Sequence, residues 1–194
     1  MSNQLVQENK THKSLKLRIY PTKEQKTLID KTFGCCRKLY NGHLQEKNEF
    51  YIENILPVKN KITEKEKKEI YKNFKPKTEK EWKVVYPYLT EVSSTSLQQK
   101  RMDCDNAFVN FFKSNNGTRK GKQGFPKFKS KKDNHQSYRE PNVNENCKCL
   151  FESRIVKIPK LGKVQFKDRA FPKWWNQIQK LCSMTISKSC SGNY

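Results

Sequence analysis

The sequence predicts an α+β fold in which strands from both ends of the chain share one sheet around an inserted helical unit. Three observations predict it. The segment "SLKLRIY", residues 14–20, alternates apolar and basic residues as a half-buried strand does. Two long segments after it repeat their apolar residues at intervals of three and four, the spacing of a helix. Beyond residue 150 short alternating runs separated by turn residues mark strands again.

Residues 1–13 are polar and are expected to form a disordered tail. In the first strand Leu15, Leu17 and Ile19 point one way and Lys16 and Arg18 the other. Pro21 ends it, and Thr22 with Gln25 three residues later is a capping-box signature for a helix start. Along that helix Ile29, Phe33, Cys36, Tyr40 and Leu44 form one apolar stripe. Gly34 within it costs about 1 kcal/mol relative to Ala; it marks either a close backbone approach or a tolerated position. Residues 56–80 are rich in Lys and Glu, so a short exposed helix over 63–72 and a solvated linker both fit. Trp82, Val85, Tyr86 and Leu89 suffice to anchor a short helix on a core.

Ser93 or Ser94 can cap the second long helix. Its expected buried stripe is Leu97, Cys104, Phe108, Phe111 and Phe112, with Gln98, Arg101 and Asp105 on another face. Asn115, Asn116 and Gly117 end it. Further on, "RIVKIP" and "KVQFK" make a hairpin, with Gly162 serving the turn and Ile155 and Val164 near opposed ends. "SMTISKS", residues 183–189, is another strand, and "CSGNY" reads as a turn that begins one more.

Charge narrows the function classes. Lys and Arg number 41 against 19 Asp and Glu, a net +22 on 194 residues, with only 34% hydrophobic residues and a mean hydropathy of -1.02. Self-repulsion at that charge disfavours the free compact state, and a polyanionic partner relieves it. Nucleic acid is the leading candidate, because phosphate neutralisation releases counterions. A membrane partner would want a cationic amphipathic helix with a broad apolar face, and none stands out. No apolar run approaches the ~20 residues of a membrane span, and the N-terminus lacks the apolar segment of a secretory signal. An intracellular protein with reduced thiols is expected. The seven cysteines, Cys35, Cys36, Cys104, Cys147, Cys149, Cys182 and Cys190, lack the paired C-x-x-C of a zinc ribbon and are read as free thiols.

Enzyme chemistry is thinly supplied. His12, His43 and His135 stand in unrelated contexts, and no spacing suggests a triad. Asp103 and Asp105 are two apart on one helix and do not share a face. No catalytic residue, metal ligand or cofactor is assigned.

The stretch "GFPKFKSKKDNHQSYR", residues 124–139, sets Phe125, Phe128 and Tyr138 among Lys127, Lys129, Lys131, Lys132 and Arg139, with Asp133 its single acid. Basic residues interleaved with aromatics suit backbone tracking with base stacking. It extends a flexible cationic loop, since residues 113–132 hold eight Lys or Arg and no acid.

The order of these motifs resembles a known family. "LRIYPTKEQKTLIDKTFGCCRKLYN", "YPYLTEVSSTSLQQKRMDCDNAFVNFF", "GFPKFKSKKDNHQSYR", "VKIPKLGKVQFKD" and "SMTISKSCSGNY" together resemble the N-terminal half of TnpB-type proteins, the OrfB insertion-sequence transposases and their Fanzor-like relatives, which are RNA-guided nucleases. The resemblance covers about residues 14–194. It implies a split wedge-type β-barrel of residues 14–21 plus 121–194 and an inserted helical recognition lobe of residues 22–120. It implies guide-type structured RNA and double-stranded DNA as partners, with Ser94 and Gln98 toward flanking DNA; Arg101, on the same helix, is a further candidate for binding nucleic acid. Gln can bond adenine bidentately in the major groove. Tyr138 and Arg139 fall near the same duplex, and Phe125 with Lys127, Lys129, Lys131 and Lys132 leads into the wedge. The family's RuvC-like Asp–Glu–Asp triad, its magnesium site and its zinc ribbon have no match here. The expectation is therefore a nucleic-acid-binding remnant without the catalytic domain, in the cytoplasm or nucleoid of a bacterium or in the nucleus or virus factory of a eukaryote or its virus. The alternatives are an unrelated basic RNA-binding protein and one half of a split nuclease.

Overall fold

A computed structural model describes residues 11–133, 135–167, 172, 174–175 and 180–194. Most of the polar tail expected over 1–13 lies outside the described residues.

The class is α+β. Chain order is β1 (Ile19–Tyr20), α1 (Lys23–Asn54), α2 (Glu64–Lys72), α3 (Glu79–Val85), α4 (Ser94–Asn115), then β2 (Gln136–Pro141), β3 (Lys148–Leu150), β4 (Ile155–Ile158), β5 (Gly162–Phe166) and β6 (Ser183–Lys188). Helix α1 starts at the expected capping box: Thr22 Oγ1 accepts from the Gln25 amide, and Gln25 Oε1 accepts from the Thr22 amide at 3.0 Å. Thr63 with Glu66 and Thr78 with Glu81 repeat the device. The 63–72 segment is thus a capped helix and not a linker, although it buries no residue.

The stripe Ile29, Phe33, Cys36, Tyr40 and Leu44 is buried throughout, and Cys35, Leu39 and His43 widen it. Gly34 is a tolerated position, with only the Arg37 guanidinium within reach of a Cβ. The close approach is at Gly42, where a Cβ would overlap the Trp82 indole. A glycine there lets α3 seat Trp82 directly on the α1 backbone. Val85, expected as an anchor, is 53% exposed; a seven-residue helix presents only one turn to the core, and Trp82 fills it.

Helices α1 and α4 run side by side in the same direction: Cys36 meets Ser96, and His43 meets Asp105. A parallel pair needs a return connection of comparable length, and residues 55–93 supply it. Only the first half of α4 packs inward. Leu97 and Cys104 are fully buried, but Phe112 is 52% exposed, so the stripe fades toward its C-terminus. Helix α4 ends at Asn115, with Gly117 beyond it at φ 69°.

The strands form a four-stranded antiparallel sheet in the order β1-β5-β4-β3 and a two-stranded ladder β2-β6. The first strand therefore does pair with a C-terminal one: Ile19 is opposite Phe166. In the β4–β5 hairpin Gly162 takes φ 78° as the turn requires, but Val164 faces Val156, and Ile155 faces Gln165. Two backbone bonds bring the sheets edge to edge. The Ser189 amide donates to the Asn193 carbonyl at 2.9 Å, and the Ile19 amide donates to the Tyr194 carbonyl at 3.2 Å. Residues 193–194 thus lie between β6 and β1. Among the described residues no ladder joins β2 to β3, so the barrel is not closed.

One apolar core joins both sheets to the helices, with Phe33, Leu39 and Leu97 packed with Tyr138, Val156, Val164, Phe166 and Ile186. Each such side chain contributes about 1.5–3 kcal/mol through burial. All seven cysteines carry free thiols. No helix among the described residues is long and apolar enough to cross a membrane.

Candidate nucleic-acid interface

The residues expected to meet nucleic acid separate into an exposed set and a set used for packing. Residues 116–133 form a loop without regular structure, and nearly every residue in it is exposed. Lys127, Lys131 and Lys132 extend into solvent there. The loop is nonetheless held at several points. Arg119 donates to the Asn110 side chain at 2.9 Å, and the Gln123 amide donates to Ser114 Oγ at 2.9 Å. Pro126 is buried. Phe125, 49% exposed, stands edge-on to Phe108 and Phe111, each 5.4 Å away between ring centres. The backbone of Lys129 is locked to the Asn41 side chain by two bonds: its amide donates to Oδ1 at 2.8 Å and its carbonyl accepts from Nδ2 at 2.9 Å. This pairing folds the Lys129 side chain back, with Nζ 4.3 Å from the Tyr40 ring centre. Although Lys129 is exposed as a residue, its ammonium is short of water. Lost hydration pushes its pKa down, and the nearby charge of Lys100 adds to the effect. Phe128 is the loop aromatic most open to solvent, at 57%.

On α4, Ser94 and Gln98 are exposed. Ser94 Oγ accepts from Lys83 at 2.6 Å. Gln98 is turned about 100° around the helix from the buried Leu97. Arg101 is engaged within the protein: its Nε is 3.1 Å from the Glu79 carboxylate, tying α3 to α4.

Strand β2 divides Tyr138 from Arg139. Successive side chains of a strand point to opposite faces. Arg139 is exposed and donates to Ser183 Oγ at 3.1 Å. Tyr138 is 3% exposed and meets Phe33 edge-on at 5.7 Å. Burial raises its phenol pKa well above the usual range. Its ring has no open face for a base, which corrects the expectation that it stacks on nucleic acid.

Two polar clusters at this junction had no signal in the sequence. Glu140, on the same inward face as Tyr138, is completely buried. Its carboxylate accepts from Ser93 Oγ at 2.8 Å and from the hydroxyls of Thr95 and Ser96. Ser93 is the N-cap of α4, but its hydroxyl makes no cap bond to the helix and serves Glu140. The positive end of α4 adds favourable field for the acid. Further along, His43 Nε2 donates to Asp105 Oδ1 at 2.9 Å, and Lys47 Nζ reaches the same oxygen at 2.6 Å. Partial burial works to raise the Asp105 carboxyl, but the bonds from His43 and Lys47 outweigh it and hold its pKa at about 2. Asp103 faces elsewhere, toward Lys100 at 2.8 Å and Gln99 at 3.0 Å. Among the described residues no three His, Cys, Asp or Glu side chains gather as a metal site.

Residues 11–55 match the model of a helix-turn-helix domain of the OrfB/IS605 type. In this fold that stretch holds β1 and one uninterrupted 32-residue helix, so the match identifies the sequence family and not a helix-turn-helix geometry. A curated protein of Streptomyces pristinaespiralis described as a "Putative RNA-guided DNA endonuclease" is 30% identical over 125 residues. That match covers 64% of this chain and 27% of the relative, so the chain spans about a quarter of the length of the protein it matches. Family model and relative together support a likeness of this chain to the N-terminal region of TnpB-type proteins.

Proposed function

We infer that the chain is a nucleic-acid-binding unit of a TnpB-type RNA-guided system, holding a guide-type structured RNA and double-stranded DNA. The relative's name supports it, and the observation that carries it is the exposed cationic loop of residues 116–133, anchored at Phe125 and Lys129 in a chain of net charge +22. In this reading residues 22–120 are the recognition lobe, and residues 14–21 with 121–194 are a wedge-type barrel whose strands run β2-β6-(193–194)-β1-β5-β4-β3. The Glu140 clasp fixes lobe to wedge. Ser94 and Gln98 face flanking DNA. Lys127, Lys131, Lys132 and Arg139 grip phosphates, and Phe125 shields the loop base. Arg101 positions α3 against α4. No residue is assigned a catalytic or cofactor-binding role.

Salt dependence tests the grip. Affinity for a structured RNA is expected to fall by roughly 10³–10⁵ between about 50 and 200 mM salt, as for 6–10 phosphate contacts; a flat response sinks the reading. Base readout is separable from it. Gln98→Ala is expected to weaken discrimination of a preferred flanking sequence by about 1–3 kcal/mol. Lys127→Ala with Lys131→Ala is expected to weaken binding to all sequences, lowering the salt slope by about one per contact.

A further inference from the structure

A small pocket lies where α1, α4 and the 129–137 segment meet, and three cations from three separate stretches of chain line it: Arg37, Lys100 and Lys129. Phe33 and Cys36 form its apolar side, while Asp133 and the Ser137 hydroxyl stand at the loop side. Lys100 is 7% exposed, and its Nζ is 2.8 Å from Asp103. Asp103 and Asp133 together offset two of the three cations, which leaves one positive charge in surplus. Lys129 is pinned through its backbone to Asn41, and Ser130 and Asp133 close a turn in which the Ser130 amide donates to Asp133 Oδ2 at 2.9 Å. Lys129 loses hydration and feels the charge of Lys100, an effect that the nearby Asp103 offsets only in part, since the Lys129 pKa is still lowered. An apolar floor beneath a surplus charge strengthens attraction for a bound anion.

We propose that this pocket is a phosphate-binding site that takes one phosphodiester of a nucleic-acid strand. One surplus charge matches one phosphodiester. Arg37 offers a planar fork of donors, and Lys129 a point charge. The site sits at the inner end of the cationic loop, so a strand tracking Lys132, Lys131 and Lys127 would pass it. The inference rests on the nucleic-acid reading above.

The test uses the full chain labelled with ¹⁵N. Inorganic phosphate added at constant ionic strength is expected to move the amides of Lys129, Ser130 and Ser137 saturably, in the millimolar range usual for a small anion, roughly 1 mM or weaker. Arg37→Gln combined with Lys129→Met abolishes those shifts. Lys129→Arg, which keeps the charge and the backbone bonds to Asn41, retains them and guards against loss of fold as the explanation. With a short single-stranded RNA the double variant is expected to bind about tenfold more weakly at near-physiological salt, with a salt slope smaller by about one to two. Pocket amides unmoved by phosphate, in a wild-type chain that binds RNA with steep salt dependence, overturn the pocket and leave the proposed function standing. Phosphate shifts with RNA affinity unchanged in the double variant overturn the strand assignment in favour of a free phosphate. A wild-type chain that binds neither RNA nor duplex DNA overturns the functional reading, and this assignment with it.

Discussion

The α1–α4–β2 junction and the loop of residues 116–133 are both polar for their positions, yet they treat polarity in opposite ways. At the junction Glu140 is wholly buried, and its carboxylate accepts hydrogen bonds from three hydroxyls, of the α4 N-cap Ser93 and of Thr95 and Ser96 in its first turn. In the loop Lys127, Lys131 and Lys132 extend into water, and the fixed points are Arg119, Gln123, Phe125, Pro126 and the Lys129 backbone. The difference teaches where stability and binding are separated in this chain. A buried carboxylate is tolerable only when its lone pairs are satisfied, so the junction has one good arrangement. Solvated lysines lose little in any arrangement, so the loop is free to conform to a partner.

Replacing Glu140 breaks the comparison at its strongest point. Glu140→Ala leaves three hydroxyls facing a cavity and is expected to cost about 3–5 kcal/mol, read as a lowered urea midpoint. Glu140→Gln keeps an acceptor and the shape, and should cost clearly less. Equal losses from the two would mean that packing, and not the hydrogen bonds, holds the clasp. Next in size is Gly42→Ala, where the new methyl meets the Trp82 indole; overpacking of this kind costs about 1–3 kcal/mol.

The Asp105 cluster is smaller and depends on pH. Its carboxyl pKa is depressed to about 2, so its contribution is fully present above the unfolded value near 3.9 and is lost as pH falls through about 2. The side chain is 46% exposed, and after solvent screening about 1 kcal/mol is expected. Asp105→Asn should therefore be less stable than the parent at pH 7, and the gap should narrow steadily below about pH 4. A gap independent of pH would assign Asp105 a packing role instead. Gly34→Ala runs the other way. The position is open, and the substitution should stabilise α1 by about 0.5–1 kcal/mol. Smallest of all is Gln98→Ala, or the pair Lys127→Ala and Lys131→Ala: each should stay within about 0.5 kcal/mol in thermal denaturation. A larger loss would mean that the loop belongs to the folded core after all.

Local rules were legible in the sequence because they act over three or four residues. The Thr22–Gln25 box, the α1 stripe from Ile29 to Leu44, the turn at Gly162 and the exposed face of Gln98 all follow from spacing alone. The cationic character of residues 113–132 was equally plain, since charge is a property of composition. Tyr138 was misread for a physical reason. Among lysines an aromatic looks like a stacking residue, but one residue of strand register decides whether it faces solvent or Phe33.

The two long helices, the Thr22–Gln25 cap, the pairing of an N-terminal strand with a C-terminal one and the net charge that calls for a polyanion were written in the sequence, whereas strand β2 and the helical state of residues 64–72 were not. Only the tertiary structure decided which polar groups meet. His43 and Asp105 are 62 residues apart, and Glu140 and Ser93 are 47 apart. Arg37, Lys100 and Lys129 converge because α1 and α4 run parallel and the loop folds back on Asn41. Such contacts depend on helix direction and strand register together, which no local pattern encodes, and a shift of one residue in either would remove them.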